Sequence, residues 1–173
     1  MITLRQETAA DYAEVFDINK TAFGQENEAS LVNALRKNPT VFIPELSIVA
    51  TENDTIIGHI LFTRITIKSD NGDLHESLGL APMAVKPGRQ RNGIGGQLIK
   101  NGLEIAKELG FKSVIVLGHE QYYPKFGFEP ANKWTIQAPF EVPLTAFMAI
   151  ELVEDGLKNS SGTVVYPKEF ETV

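Results

Sequence analysis

Between Leu78 and Leu117 the chain reads as strand, glycine-rich loop, helix and strand, and no other stretch restricts the fold as much. Leu78 to Val85 is an apolar run interrupted by Pro82. From Gly95 to Leu109, Leu98, Gly102, Ile105 or Ala106, and Leu109 recur at helical intervals, and Gly110 supplies a natural stop. Lys112 to Leu117 is a short β-branched run, the pattern of a buried parallel strand. Two strands joined through one helix lie parallel, with a right-handed crossover. The chain must therefore build a sheet with a helix packed against it.

The flanking segments add strands and helices to that unit. Ile2 to Arg5 reads as a short strand, and Thr8-Ala-Ala-Asp11 has the spacing of a helix-capping signal. After it, Tyr12, Val15, Phe16, Asn19 and Phe23 fall at helical intervals, and a second amphipathic segment from Glu28 to Lys37 stops before Pro39. Leu46–Thr51 and Thr55–Ile67 are β-rich runs around Glu52-Asn-Asp54, a hairpin signal, and Asn71-Gly72 marks a second turn. Past Phe128 the pattern predicts strands at Trp134–Ile136, Ala146–Leu152 and Thr163–Val165. No repeat, low-complexity tract or linker interrupts the 173 residues. They read as one domain over 1–173, of mixed α/β class with a central mixed sheet.

Charge and composition narrow the function. Sixteen Lys and Arg against 22 Asp and Glu leave a net charge of −6, which argues against general nucleic-acid binding. There is no cysteine, so a disulfide framework, a thiolate metal site and a cysteinyl acyl-enzyme are excluded, and no metal is expected. No run approaches the roughly 18 apolar residues of a membrane span, and a cytoplasmic protein without membrane partners is expected. From Ser77 to Leu103, however, there is no acidic residue, while Lys86, Arg89, Arg91 and Lys100 fall there. That basic island suits a small anionic ligand or, equally, a solvated face.

Within the island lies Val85-Lys-Pro-Gly-Arg-Gln-Arg-Asn-Gly-Ile-Gly-Gly96. Glycines at the start of a helix let successive N–H groups converge on one anion. A Walker A loop is excluded, because Ile94 and Gly95 stand where Lys and a hydroxyl are required after Gly88 and Gly93. A dinucleotide loop is excluded too, because Leu98 occupies the third glycine position and no carboxylate lies near Ile115. A loop without a ligand remains open.

The pattern that fits is Gln/Arg-x-x-Gly-x-Gly/Ala, here Gln90-Arg91-Asn92-Gly93-Ile94-Gly95. Together with Leu80-Ala-Pro-Met-Ala-Val85 before it and Tyr123-Pro-Lys-Phe-Gly-Phe128 after it, this makes the sequence resemble the GNAT superfamily of N-acetyltransferases over most of its length. The resemblance implies the acyl-CoA N-acyltransferase fold, whose fourth and fifth strands splay apart around the pantetheine arm of acetyl-CoA. Pro82 suits such a gap, since it cannot donate to a ladder, and it suits a β-bulge equally. Many members place an Asn and a helix of several turns before the Tyr. Here Leu117-Gly-His-Glu-Gln-Tyr-Tyr123 is very short and is similar to a subgroup carrying Gly-Asp/His-x-x-Tyr-Tyr-x-x-Phe-Gly-Phe.

The resemblance also implies a chemistry: direct transfer of an acetyl group from acetyl-CoA to a primary amine in a ternary complex. Met83, Ala84 and Val85 would hold the pantetheine and thioester, an N–H there polarising the carbonyl. Backbone groups of Arg91, Asn92 and Gly93, and then of Ile94, Gly95 and Gly96, would grip the diphosphate, with Gln90 flanking it. Tyr123 stands at the general-acid position, and a phenol of pKa near 10 can protonate a departing thiolate. Its other reading is packing beside Tyr122 and Phe126. Glu28, His75, Glu76, His119 and Glu120 read as surface groups and His59 as a structural histidine, so no side chain is singled out as base. The resemblance places the choice of acceptor, a small-molecule or peptide amine, in about Ala22 to Val41 and Trp134 to Thr145, stretches without a diagnostic motif. A homodimer is expected, and a non-catalytic acyl-CoA-binding module is the alternative function.

Overall fold

Two hairpins and one crossover organise the sheet. In the computed structural model, which describes residues 1–172, β2 (Phe42–Glu52) and β3 (Thr55–Lys68) are joined by Asn53 and Asp54. Both turn residues have positive φ, 52° and 61°, the arrangement whose twist matches that of paired strands. β3 returns as β4 (Leu74–Val85) through a turn in which Gly72 N–H donates to Ser69 C=O at 2.9 Å. The helix α3 (Ile94–Glu108) then carries the chain to β5 (Ser113–Leu117), which pairs parallel with β4. Ahead of the hairpins come β1 (Thr3–Gln6), α1 (Tyr12–Phe23) and α2 (Asn27–Arg36). After β5 come the two-residue β6 (Glu129–Pro130) and β7 (Ile136–Gln137), then β8 (Phe147–Glu151) and β9 (Gly162–Val165). The order across the sheet is β1-β2-β3-β4-β5-β8-β6, with β9 beside the far end of β3 and β7 beside β9.

Alternation along β2 and β3 divides the core between the two faces. Ile48, Ile60 and Phe62 point toward Leu98 and Ile99 of α3, while Val49 and Leu61 point toward Val15, Leu31 and Leu35 of α1 and α2. α3 sits close to the sheet because Gly102 has no side chain. A Cβ there would lie 2.2 Å from Phe62 Cε1.

The structure corrects several sequence expectations. Trp134 is no strand residue: Ala131–Trp134 form a 3₁₀ turn, Thr135 adopts φ 58°, and extended pairing survives only at Ile136 and Gln137. β4 begins at Leu74 rather than Leu78, because Leu74 to Ser77 pair with Lys68 to Ile65 at the end of β3. Leu109 lies past the end of α3 and is exposed, so the buried stripe is Leu98, Gly102 and Ala106. At the capping signal, Ala9–Asp11 first form a 3₁₀ turn, and the Asp11 carboxylate accepts from Thr8 N–H at 2.7 Å.

Both readings of Pro82 hold. From Ile60 to Phe62 on β3, the partner on β4 moves from Met83 to Leu80, so Ala81 and Pro82 form a bulge with one extra residue, and their peptide bond is cis. On the other side, β4 pairs with β5 only at Leu78 and Gly79. Beyond Gly79, β5 continues along β8 while the rest of β4 stays with β3, and a wedge opens between the two parallel strands.

Candidate active site

The wedge is the middle of a cleft of about 1050 Å³ that runs over the carboxyl ends of β4 and β5. The β3–β4 register decides which backbone groups face it. Lys86 N–H donates to Ile57 C=O at 2.9 Å, so these two residues form a hydrogen-bonded antiparallel pair. Such pairs alternate with unbonded ones. Ala84 therefore spends its N–H and C=O on His59, whereas the N–H and C=O of Met83 and Val85 point away from β3 into the wedge. Met83 and Val85 line the cleft, and the Gln90 amide reaches back to Val85 C=O at 3.2 Å. Ala84 is buried and is not among the lining residues.

The loop after β4 winds through left-handed conformations at Gly88, Arg91 and Gly93, with φ of 89°, 68° and 79°. Gly93 is the N-cap of α3, and the first intrahelical bond runs from Gln97 N–H to its carbonyl. The N–H groups of Ile94, Gly95 and Gly96 precede that bond, at the positive end of the helix. Gln90, Arg91, Gly93, Ile94 and Gly95 line the cleft, whereas Asn92 is exposed outside it. Gly96 lies beneath Phe126, whose Cζ would stand 3.3 Å from a Cβ there. Arg89 points elsewhere and is ion-paired with Glu52 at the end of β2.

On the opposite wall β5 ends at Leu117, and a single 3₁₀ turn, Tyr123–Phe126, replaces any longer helix. Tyr123 is buried, with 8% of its surface exposed, yet it lines the cleft. Its ring stands edge-on to Tyr122 and Phe128, at 5.2 and 5.6 Å, and packs over Gly118. Burial, with the neighbouring Tyr122 phenol, pushes its pKa up to about 12, so the hydroxyl remains a proton donor at any physiological pH. Tyr122, which sequence reasoning treated only as a packing neighbour, also lines the cleft. Its hydroxyl lies 2.9 Å from where a Gly95 Cβ would be, so Gly95 leaves room for it above the first turn of α3.

At the far end of the cleft the sequence reading offers only two broad stretches for the acceptor, about Ala22 to Val41 and Trp134 to Thr145, and singles out no residue for it. Phe23, Glu28, Phe140, Tyr166 and Phe170 line that end, drawn from both ends of the chain. The tandem tyrosines were a visible signal for Tyr122, but nothing in the spacing of these five announces a common surface. His59 is structural as expected: its Nδ1 accepts from Asn19 Nδ2 at 3.3 Å and its Nε2 bonds Ser47 Oγ at 3.0 Å. Among the described residues no group of three or more His, Cys, Asp or Glu is placed to hold a metal ion, and no helix is long and apolar enough to cross a membrane.

A long wedge edged by peptide groups that the ladder with β3 leaves unused, opening onto a helix N-terminus flanked by Arg91, fits a ligand with an amide-bearing arm and an anionic end. Comparison with known proteins agrees. A family model described as the acetyltransferase (GNAT) domain matches residues 3–131. The uncharacterized N-acetyltransferase YjhQ of Escherichia coli is 40% identical over 78% of this chain and 74% of its own length. The E. coli GNAT-family protein YhbS, solved in complex with CoA, superposes with a TM-score of 0.88 at 29% identity, over 98% of this chain and 91% of that one. A GNAT-family acetyltransferase from Brucella melitensis, solved with acetyl-CoA, gives a TM-score of 0.80 at 30% identity over 99% of both chains. The wedge between β4 and β5 is thus part of a shared architecture, and the chain belongs to the GNAT acetyltransferase family.

Proposed function

We propose that the protein transfers the acetyl group of acetyl-CoA to a primary amine bound in the same cleft, by direct attack in a ternary complex. The observation that carries this reading is the continuity of one cleft from the glycine loop, past the free edge of β4, to Tyr123. The solved relatives bound to CoA and acetyl-CoA support acetyl-CoA as donor. Acetyl-CoA supplies the acyl group as a thioester: the C–N bond forms as the C–S bond breaks, the amine loses one proton, and the sulfur gains one.

The chain's own groups divide the work. Arg91, Gly93 and the N–H groups of Ile94 and Gly95 hold the diphosphate, with Gln90 bracing the loop and Asn92 and Gly96 completing the turn. Met83 and Val85 hold the amide arm through their wedge-facing groups, and Ala84 fixes that alternation by its bond to β3. Val85 N–H polarises the thioester carbonyl, where a fixed donor is worth most as negative charge develops. Tyr123 Oη donates its proton to the leaving sulfur, the amine proton passes to water, and water returns a proton to the Tyr123 phenolate. With no cysteine in the sequence to carry the acyl group, one direct transfer is the simplest route.

Calorimetry with CoA and thiol-release kinetics with an amine panel test the reading. Tyr123→Phe keeps the ring packing and removes only the hydroxyl. It is expected to lower kcat by about 10²- to 10⁴-fold, the usual worth of a general acid, with acetyl-CoA affinity unchanged. Unaltered turnover would remove Tyr123 from the chemistry. CoA uptake without amine-stimulated thiol release would instead identify a binding module.

A further inference from the structure

The end of the cleft away from the glycine loop has a chemistry of its own. Phe140 and Tyr166 stack with ring centroids 6.2 Å apart and planes 22° apart, and Phe170 continues the wall 5.1 Å from Tyr166. Tyr166 lies over Gly79, its Cε1 3.6 Å from where a Cβ would be, so the aromatic wall begins where β4 leaves β5. Phe23, at the end of α1, faces the same space. Phe23 and Phe140 are 42% and 47% exposed, high for rings of this size. Phe140, Tyr166 and Phe170 all follow residue 131, beyond the stretch that the family model matches.

Charge is distributed just as unevenly. Glu28, in the first turn of α2, is the one carboxylate among the described residues lining the cleft, while Arg91 and Lys125 line its loop end. Gln25 Nε2 donates to both Glu28 oxygens, at 3.0 and 3.2 Å, and holds the side chain in place. The terminal 3₁₀ turn that carries Phe170 is tied to the end of α2 by Asn38 Nδ2 donating to Glu169 at 3.1 Å. The wall is therefore anchored.

Resting on the acetyltransferase reading above, we propose that the acceptor is a small monoamine carried on an aromatic group, its ammonium drawn to Glu28 and its ring stacked on Phe140, Tyr166 and Phe170. Aromatic faces attract both arenes and cations, and an apolar wall penalises a polyhydroxylated or polycationic acceptor that leaves groups unpaired. The arriving ammonium gives up one proton to water before attack, and the neutral amine so formed loses its second proton in the transfer step.

The test compares phenethylamine and tryptamine with ethanolamine, spermidine and kanamycin, by acetyl-CoA thiol release and by amine calorimetry on CoA-saturated protein. The aromatic amines are expected to show at least about tenfold higher kcat/KM, or tenfold tighter binding where turnover is absent, in line with stacking plus a charge contact. Glu28→Gln and Phe140→Ala should each raise the amine KM or Kd about tenfold and leave that of acetyl-CoA unchanged. Equal or better use of ethanolamine, spermidine or kanamycin overturns the proposal, as does an unaffected Phe140→Ala variant. CoA uptake, measured separately, tells the two failures apart: its loss brings down the acetyltransferase reading, whereas its retention without aromatic preference brings down only this one.

Discussion

Tyr123 owes its position to a residue that has no side chain. A Cβ on Gly118 would fall 2.3 Å from Tyr123 Cε2, well inside contact distance, and Gly118 is not among the positive-φ glycines, so alanine brings no backbone strain of its own. Gly118→Ala should therefore push the Tyr123 ring aside while leaving the loop and the free edge of β4 in place. Because misplacing a catalytic group by about 1 Å can cost 10²-fold, kcat should drop at least about tenfold with the acetyl-CoA KM little changed. The double variant Gly118→Ala/Tyr123→Phe should be no slower than Tyr123→Phe alone, since both act through one hydroxyl. Additive losses in steady-state kinetics would show that Gly118 matters for another reason. Gly95 differs, because a Cβ there would meet the mobile tips of Tyr122 and Met83 rather than the body of a packed ring.

Elements raise the same question with the opposite naive answer. Helix propensity favours Ala over Gly by about 1 kcal/mol in a helix interior, so Gly102→Ala should stabilise α3 on local grounds. Its Cβ would lie 2.2 Å from the Phe62 ring, however, and Phe62 is fully buried in β3. Overpacking of this kind costs about 1–3 kcal/mol, so thermal unfolding should show a net loss of stability. A rise in the midpoint would mean that α3 can lift off the sheet at no cost. The sequence does carry the helical stripe of α3, the turn at Asn53-Asp54 and the interrupted strand at Pro82, because each depends on residues close together in the chain. Trp134 misleads because its aromatic β-preference yields to the 3₁₀ turn that packs Ala131. In the cleft, the glycine loop is legible for the same reason of contiguity. Phe23, Glu28, Phe140 and Phe170 are not, since only the folded sheet brings α1, α2 and the C-terminal segments to one wall.

Across the whole molecule, the helices that supply Phe23 and Glu28 are fastened to the sheet by a buried polar network, and this makes stability depend on pH. Arg36 of α2 pairs bidentately with Glu7, at 2.9 and 2.8 Å, and its guanidinium lies 3.9 Å above the Tyr12 ring of α1. Nearby, His59 of β3 bonds Asn19 of α1 and Ser47 of β2. Asn19 Nδ2 also donates to Val15 C=O, so His59 Nδ1 is an acceptor, the neutral ring carries its proton on Nε2, and a second proton has no place to go. Burial, assisted by Arg36 and opposed by Glu7, lowers the His59 pKa from 6.5 to about 4. The unfolded chain therefore takes up this proton first, and stability falls as pH drops from about 6.5 toward 4, with no contribution above that window. Asp11, held at about 2 mainly by its hydrogen bonds from Arg5, stabilises the fold above about 3.8 and adds its loss only below that. Between pH 7.5 and 4.5 the His59 effect amounts to about 2–3 kcal/mol, or a fall of roughly 4–12 °C in Tm for a chain of this size. Proton NMR of His59 in the folded protein should show a titration midpoint near 4 rather than near 6.5. A midpoint near 6.5, or a thermal stability flat over the same range, would mean that the network opens to water and that the α1–α2 wall of the cleft is less firmly held than its bonds indicate.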